Sequence, residues 1–266
     1  RDQMTTILQI SDTHIVPEGA LVSGRLETAH SLARLVTRIT SIRDQIGPID
    51  AVLVSGDLSE DGSVESYDRF KALMAPLDLP LLVIPGNHDA REPMRAAFAD
   101  LLPKAGPLDW IRQVGDLTMV GLDTLIEGTG KGTLSAQSLA FLTDALAKAK
   151  NAPVLLALHH PPFPSGIGFM DDIGLTNRAE FCEIIANYQG KLRVVCGHIH
   201  SMMVVDCAGH IAISAPSPCS TFAYDLRTDA PVGFMTQEDG CLVHKWDAGF
   251  QSVRIGLVAG TGPFPF

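Results

Sequence analysis

The stretch Thr6-Ile7-Leu8-Gln9-Ile10-Ser11-Asp12-Thr13-His14 passes from an apolar, strand-like run directly into a polar cluster. The same transition recurs where residues 51–55 lead into Ser55-Gly56-Asp57 and where residues 80–85 lead into Pro85-Gly86-Asn87-His88-Asp89. A fourth apolar run, 153–158, is followed by His159 and His160. Residues 25–46, 63–76 and 135–150 carry the longer amphipathic pattern of helices. Strands alternating with helices predict an α/β fold. In such sheets ligands collect just beyond the carboxyl ends of strands, so the polar clusters are expected to converge on one site.

Working outward, Thr118–Leu122, Leu192–Cys196, Met203–Asp206 and His210–Ser214 are further short strand candidates and imply a second sheet packed on the first. The expected architecture is a four-layer α/β/β/α sandwich of two mixed β-sheets flanked by helices. Residues 161–175, rich in Pro and Gly, are expected to form a loop over the site. Regular alternation fades from about residue 215. Residues 1–225 are therefore taken as one catalytic domain, and 226–266 as a C-terminal extension packing on that domain or on a neighbouring subunit of a homo-oligomer.

Composition narrows the function. Apolar residues make up 46% of the chain, and no run approaches the ~18 apolar residues of a membrane span, so membrane insertion is not expected. The N-terminus enters a strand pattern without a secretory-type segment, which gives a cytoplasmic expectation. The five cysteines lack C-x-x-C spacing and read as reduced and mostly buried. A net charge of −10 opposes the tracking of a polyanion, so long nucleic acid is not an expected partner.

Five strand-end clusters hold the side chains able to ligate a cation: Asp12 and His14, Asp57, Asn87 and His88, His159 and His160, and His198 and His200. Imidazole and carboxylate without thiolate suit two divalent ions of the Mn2+, Fe2+, Zn2+ or Co2+ kind in a catalytic centre. In the Asp12-Thr13-His14 and His198-Ile199-His200 triplets, alternate side chains share one side, so each pair can grip one ion. A carboxylate at Asp57 between two ions ~3.5–4 Å apart could bridge them, and a bridging water would become a hydroxide nucleophile.

The ordered set Asp12-Thr13-His14, Gly56-Asp57, Gly86-Asn87-His88-Asp89, His159 and Gly197-His198-Ile199-His200 resembles the signature of the calcineurin-like metallophosphoesterases. His159-His160-Pro161-Pro162, Pro216-Ser217-Pro218-Cys219, and Gly62 with Tyr67 after Gly56-Asp57-Leu58 resemble the cyclic-nucleotide phosphodiesterase branch, which includes bacterial glycerophosphodiesterases. The resemblance implies binuclear-metal-dependent hydrolysis of small phosphodiesters, 3′,5′-cyclic nucleotides and glycerophosphodiesters among them. It implies Asp12, His14, Asp57 and His200 on one metal, Asp57, Asn87, His159 and His198 on the other, and His88 beside the leaving oxygen, with Asn87 and His88 touching substrate. The other readings to test are a dedicated glycerophosphodiesterase and a catalytically silent protein-interaction scaffold.

Several neighbours invite blander readings. His160 would point away from the metals if the strand continued, and is expected to pack or support. His30, His210 and His244 read as surface or packing residues. Asp89 is expected either to orient His88 or to cap the following helix. The Gly128–Gly132 segment reads as an ordinary flexible loop. Phe163, Phe169, Phe222 and Tyr224 are the candidate rim aromatics, and Arg178 is the nearest cation to clamp a monoester. Cys219, Ser220 and Thr221 stand where glycerophosphodiesterases of the branch often carry an extra His.

Overall fold

The computed structural model describes residues 4–265. Its first strand, β1 (Thr5–Ile10), is buried along its whole length, as are β2 (Ala51–Val54), β6 (Val154–Ala157) and β7 (Leu192–Cys196). Continuous apolar runs of this kind arise because each strand is covered on both faces. β3 (Leu81–Val83) lies parallel to β2, and β2 lies parallel to β1. Three parallel strands thus deliver their polar ends, Asp12, Asp57 and Asn87, to the same edge of one sheet.

That sheet has the order β11-β10-β1-β2-β3, where β10 is Cys241–Trp246 and β11 is Phe250–Ile255. β10 pairs antiparallel with β1 over Thr5–Gln9, so the segment after residue 225 supplies two strands to the first sheet. The second sheet runs β4-β5-β6-β7-β9-β8, with β4 (Trp110–Val114) and β8 (Val204–Cys207) antiparallel at its edges, and β5 (Leu117–Gly121), β6, β7 and β9 (His210–Ser214) parallel between them. Both sheets are mixed, as expected.

Helices cover the outer faces. α1 (Thr28–Ser41) presents Leu32, Leu35, Val36 and Ile39, and α3 (Val64–Met74) presents Tyr67, Phe70 and Met74, to a core that also contains β1 and β2. α5 (Ala136–Ala149) and α7 (Arg178–Ala186) pack Leu142, Leu146, Phe181 and Ile185 on β6 and β7. The i, i+3, i+4 spacing makes these faces. Ser63 and Ser135 cap α3 and α5 by accepting the amides of Ser66 and Ser138. Leu117, Met119, Leu155 and Val195 join the first core and fill the space between the sheets. The result is the expected α/β/β/α sandwich.

Differences from expectation are local. The single helix expected over 25–46 breaks at Ile42, which leaves helical geometry (φ −113°, ψ 9°), and resumes as the one-turn α2 (Arg43–Ile46). β4, β10, β11, α7 and α4 (Arg91–Ala97) were not among the expected elements. The 161–175 segment contains a short turn of helix, α6 (Gly168–Asp171), whose Asp171 carboxylate accepts the amides of Ser165 and Gly166. Among the described residues no helix is long and apolar enough to cross a membrane.

Candidate metal centre

The strand ends are held together by backbone before any side chain acts. The Asp12, His14 and Ile15 amides donate to the carbonyls of Gly56, Asp57 and Leu58, and Gly197 N donates to His159 O. Asp12, His14, Asp57, His198 and His200 all take positive φ, between 44° and 72°. Non-glycine residues adopt that region at a cost, and such strain concentrates at functional sites. Here it turns the side chains of three separate loops inward.

The side chains meet in two groups, Asp12, His14 and His200 in one and Asp57, His159 and His198 in the other, all buried. In the first, His200 Nε2 lies 3.4 Å from Asp12 Oδ1, and the Nε2 atoms of His14 and His200 face each other at 3.2 Å. In the second, His159 Nε2 lies 3.3 Å from Asp57 Oδ2. Asn87 Oδ1 completes it, 3.2 Å from His159 Nε2 and 2.9 Å from His198 Nδ1. Asp57 Oδ2 is also 3.8 Å from His14 Nε2, so this carboxylate stands between the groups. All seven expected ligands are brought together.

Electrostatics show what the cluster is built to hold. Burial opposes charge on Asp57, yet the His159, His88 and His14 imidazoles outweigh it and hold the carboxyl well below the usual range. Burial likewise opposes the charge of His14 and His159, but Glu60 and Asp57 for the former, and Asp57 and Asp12 for the latter, raise each to about 9. His198 goes the other way, held well below the ordinary imidazole value by burial first and then by the neighbouring His160 and His159. His198 Nε2 is buried without a partner, an arrangement folded proteins rarely tolerate. Converging nitrogens, two carboxylates and an amide oxygen fit a pair of borderline divalent cations.

His88 stands apart. Its backbone amide donates to Asp57 Oδ1 at 2.8 Å, its side chain is 38% exposed, and its ring meets that of His14 edge-on at 4.9 Å. Nδ1 lies 3.2 Å from both the Glu60 carbonyl and Glu60 Oε2, whereas Nε2 makes no hydrogen bond among the described residues. Glu60, absent from the sequence reading, also bonds His14 Nδ1 at 2.7 Å and so orients a candidate ligand and His88 together. The signal for it is a carboxylate one turn after Asp57 in Gly56-Asp57-Leu58-Ser59-Glu60.

Other expectations are replaced by more specific roles. Asp89 neither orients His88 nor caps α4: its carboxylate accepts the amides of Leu58, Ser59 and Gly86 and the hydroxyls of Ser59 and Tyr67, fastening the Asp57 loop to the Asn87 loop. His160 is a buried support, with Nδ1 2.8 Å from Thr124 Oγ1 and Nε2 3.0 Å from Gly130 O; burial first, then the charge of His159, pushes it down to about 3. The Gly128–Gly132 segment is accordingly more than a flexible loop, because a Cβ on Gly132 would lie 2.2 Å from His160 Nδ1. Ser220 Oγ bonds His200 Nδ1 at 3.1 Å, and Cys219 Sγ is buried against Thr13 O at 3.3 Å. Of the rim aromatics, Phe222 lies 4.7 Å from the His200 ring with Phe169 edge-on to it at 5.5 Å, whereas Phe163 is in the core and Tyr224 is 71% exposed.

Two buried imidazole–carboxylate groups at the strand ends of this sandwich define a metallophosphoesterase fold with a two-metal type of donor set. Comparison with known proteins agrees: the calcineurin-like phosphoesterase family model matches residues 5–202, and the chain belongs to that family. It is 31% identical to a protein of Arcobacter nitrofigilis named a probable glycerophosphodiester phosphodiesterase, over 98% of this chain and 96% of that one. It is 37% identical to a 3′,5′-cyclic adenosine monophosphate phosphodiesterase of Pseudomonas aeruginosa, over 84% of this chain and 79% of that one. A dimetal phosphatase from Danio rerio, 16% identical, shares the fold with a TM-score of 0.67 over 96% of each chain.

Proposed function

We propose that the protein hydrolyses small phosphodiesters with two divalent metal ions, the first held by Asp12, His14, Asp57 and His200 and the second by Asp57, Asn87, His159 and His198. The observation that carries this reading is the placement of Asp57 Oδ2 within 3.8 Å of an imidazole from each group. Such a pair of ions supplies charge neutralisation of the phosphoryl oxygens and activation of water near neutral pH. The chain's own residues do the rest. Asp57 and the positive-φ loops fix the donor set, and Glu60 fixes His14. His88, anchored through Nδ1, offers Nε2 to the departing alkoxide as acid or hydrogen-bond donor.

Small diesters are favoured over monoesters because the rim brings no cationic clamp: Arg178 is exposed at the start of α7, and Asp171 is engaged within its own loop. The Phe169–Phe222 pair beside His200 offers an apolar wall that suits a base or an alkyl group without selecting either. Cys219 and Ser220 face the motif loops, which argues against a dedicated glycerol pocket built from them. Relatives named for cyclic AMP and for glycerophosphodiesters are both close to this chain, consistent with permissive choice. The complete ligand set with His88 argues against a silent scaffold.

The test is kcat/KM of the metal-reconstituted protein on bis-p-nitrophenyl phosphate, p-nitrophenyl phosphate, cyclic AMP and glycerophosphoethanolamine. The expected result is a diester preference with the two natural diesters of similar rank. A monoester preference would overturn the substrate class, and a difference of several orders of magnitude between the natural diesters would overturn permissiveness.

A further inference from the structure

A cavity of about 600 Å³ opens at the end of the sandwich opposite the metal centre. Register places it there. Thr5 at the start of β1 pairs with Trp246, so the β10–β11 turn at Ala248-Gly249 lies beside the entry to β1, whereas Asp12 follows its exit. β9 runs parallel to β7, so the β8–β9 turn at Ala208-Gly209 lies beside the entry to β7, whereas His198 and His200 follow its exit. The lining includes Lys191, Arg193 and His210 with Tyr188 and Phe250, and it contains no Asp or Glu although the whole chain carries a net charge of −10.

Arg193 is the unusual member. It is 9% exposed, has no carboxylate partner among the described residues, and stacks 5.2 Å from the Phe250 ring. One Nη donates to Ser252 Oγ at 2.7 Å, and Nε is buried with no acceptor. A buried guanidinium with an unpaired donor is costly unless an anion takes it, and its forked donors match two oxygens of one oxyanion.

From Arg193 a chain of hydrogen bonds crosses the molecule. Ser252 Oγ lies 2.7 Å from His244 Nδ1, and His244 Nε2 lies 2.8 Å from Gln9 Oε1. Gln9 Nε2 donates to Ser55 Oγ at 2.8 Å and to Cys196 O at 3.0 Å. The Ser55 carbonyl, 2.8 Å from His159 Nδ1, orients a ligand of the metal centre. With His244 neutral, the donors point one way throughout: Arg193 to Ser252, Ser252 to His244, His244 to Gln9, Gln9 to Ser55. The hydrogen bonds run unbroken from Arg193 to Ser55 Oγ, and the backbone of Ser55 joins them to the carbonyl that meets His159, which gives a shift of the guanidinium a connected route to the metal centre.

We infer that the Arg193 cavity is a second, non-catalytic site for a small phosphate-type oxyanion, coupled through Ser252, His244, Gln9 and Ser55 to His159. Diester hydrolysis releases a phosphomonoester, the source implied here, and inorganic phosphate is its simplest probe. The binding half stands independently of the proposed activity; the coupling half rests on it.

The experiment titrates the metal-loaded protein with inorganic phosphate by calorimetry and follows bis-p-nitrophenyl phosphate hydrolysis in the same series, with succinate as the carboxylate arm. The wild type is expected to bind phosphate in two events. Arg193→Gln, and separately Lys191→Glu on the exposed rim, should each weaken the same event by about tenfold or more and leave the other in place. The noncompetitive part of phosphate inhibition should disappear with it. Unchanged binding in the well-folded Lys191→Glu variant would overturn the site, and succinate binding more tightly than phosphate would overturn the phosphate assignment. Loss of the event without change in the inhibition pattern would overturn the coupling. Phosphate binding lost in the variants of a protein that hydrolyses no phosphodiester would support the site while removing the proposed activity.

Discussion

In the proposed two-metal centre both positions depend on Asp57, and its removal separates bridging from ordinary ligation. Asp57→Ala should fall below two bound equivalents and lose more turnover than any variant of a residue assigned to one ion, with metal analysis and kcat measured together. Two equivalents with unchanged turnover would remove the bridge. His88→Ala should keep both ions, since its side chain joins neither of the two fully buried groups and meets only His14 and Glu60 in a third, partly exposed one. Its turnover should fall by about 10²–10⁴-fold, most for alkyl leaving groups and least for p-nitrophenyl. Equal losses would assign His88 to phosphate positioning. Gly86→Ala would set a methyl group 2.2 Å from Asp57 Oδ1, so it should lower both melting temperature and metal affinity. The convergence of the seven candidate ligands, with His88 beside them, is legible in the sequence because they follow the ends of apolar runs with side chains of ligand type. Glu60 and the fastening role of Asp89 are not, because which donors a carboxylate meets depends on how two loops from different strands are set face to face.

At the scale of elements, strands covered on both faces announce themselves as unbroken apolar runs, and β1, β2, β6 and β7 are read correctly for that reason. β10 lies beside β1 in the same sheet, yet Cys241-Leu242-Val243-His244-Lys245-Trp246 places an imidazole in a fully buried position and escapes the pattern. What lets the strand carry it is the pairing of His244 with Ser252 and Gln9, partners invisible until β1 and β11 are in place. Burial, with Arg193 adding to it, pushes His244 down to about 3. The folded pKa therefore lies below the unfolded value of 6.5, and the unfolded chain takes up a proton first as pH falls. The His244 contribution is complete above pH 6.5 and is lost progressively between pH 6.5 and about 3, with a slope of at most ~1.4 kcal/mol per pH unit. Urea unfolding from pH 7.5 to 4.5 should show this decline, and His244→Gln should flatten it. Parallel declines in the two proteins would place the acid sensitivity elsewhere.

At the scale of the molecule, charge and architecture divide the work. A net charge of −10 opposes the binding of polyanions, while the proposed metal centre would supply a local positive field for a small anionic ester. Single- and double-stranded oligonucleotides should bind weakly, without the steep salt dependence of true nucleic-acid ligands. The sandwich itself is legible from the order of strands and helices, but the closing of the first sheet by its last two strands is not, since it joins segments far apart in sequence through β1–β10 pairing. The two-metal reading as a whole is tested most directly by stripping the protein with a chelator and titrating Mn2+ back while recording bound equivalents and bis-p-nitrophenyl phosphate hydrolysis together. Activity should be absent in the stripped protein and should rise chiefly as the second equivalent binds. Full turnover at one equivalent, or hydrolysis that survives chelation, would contradict it.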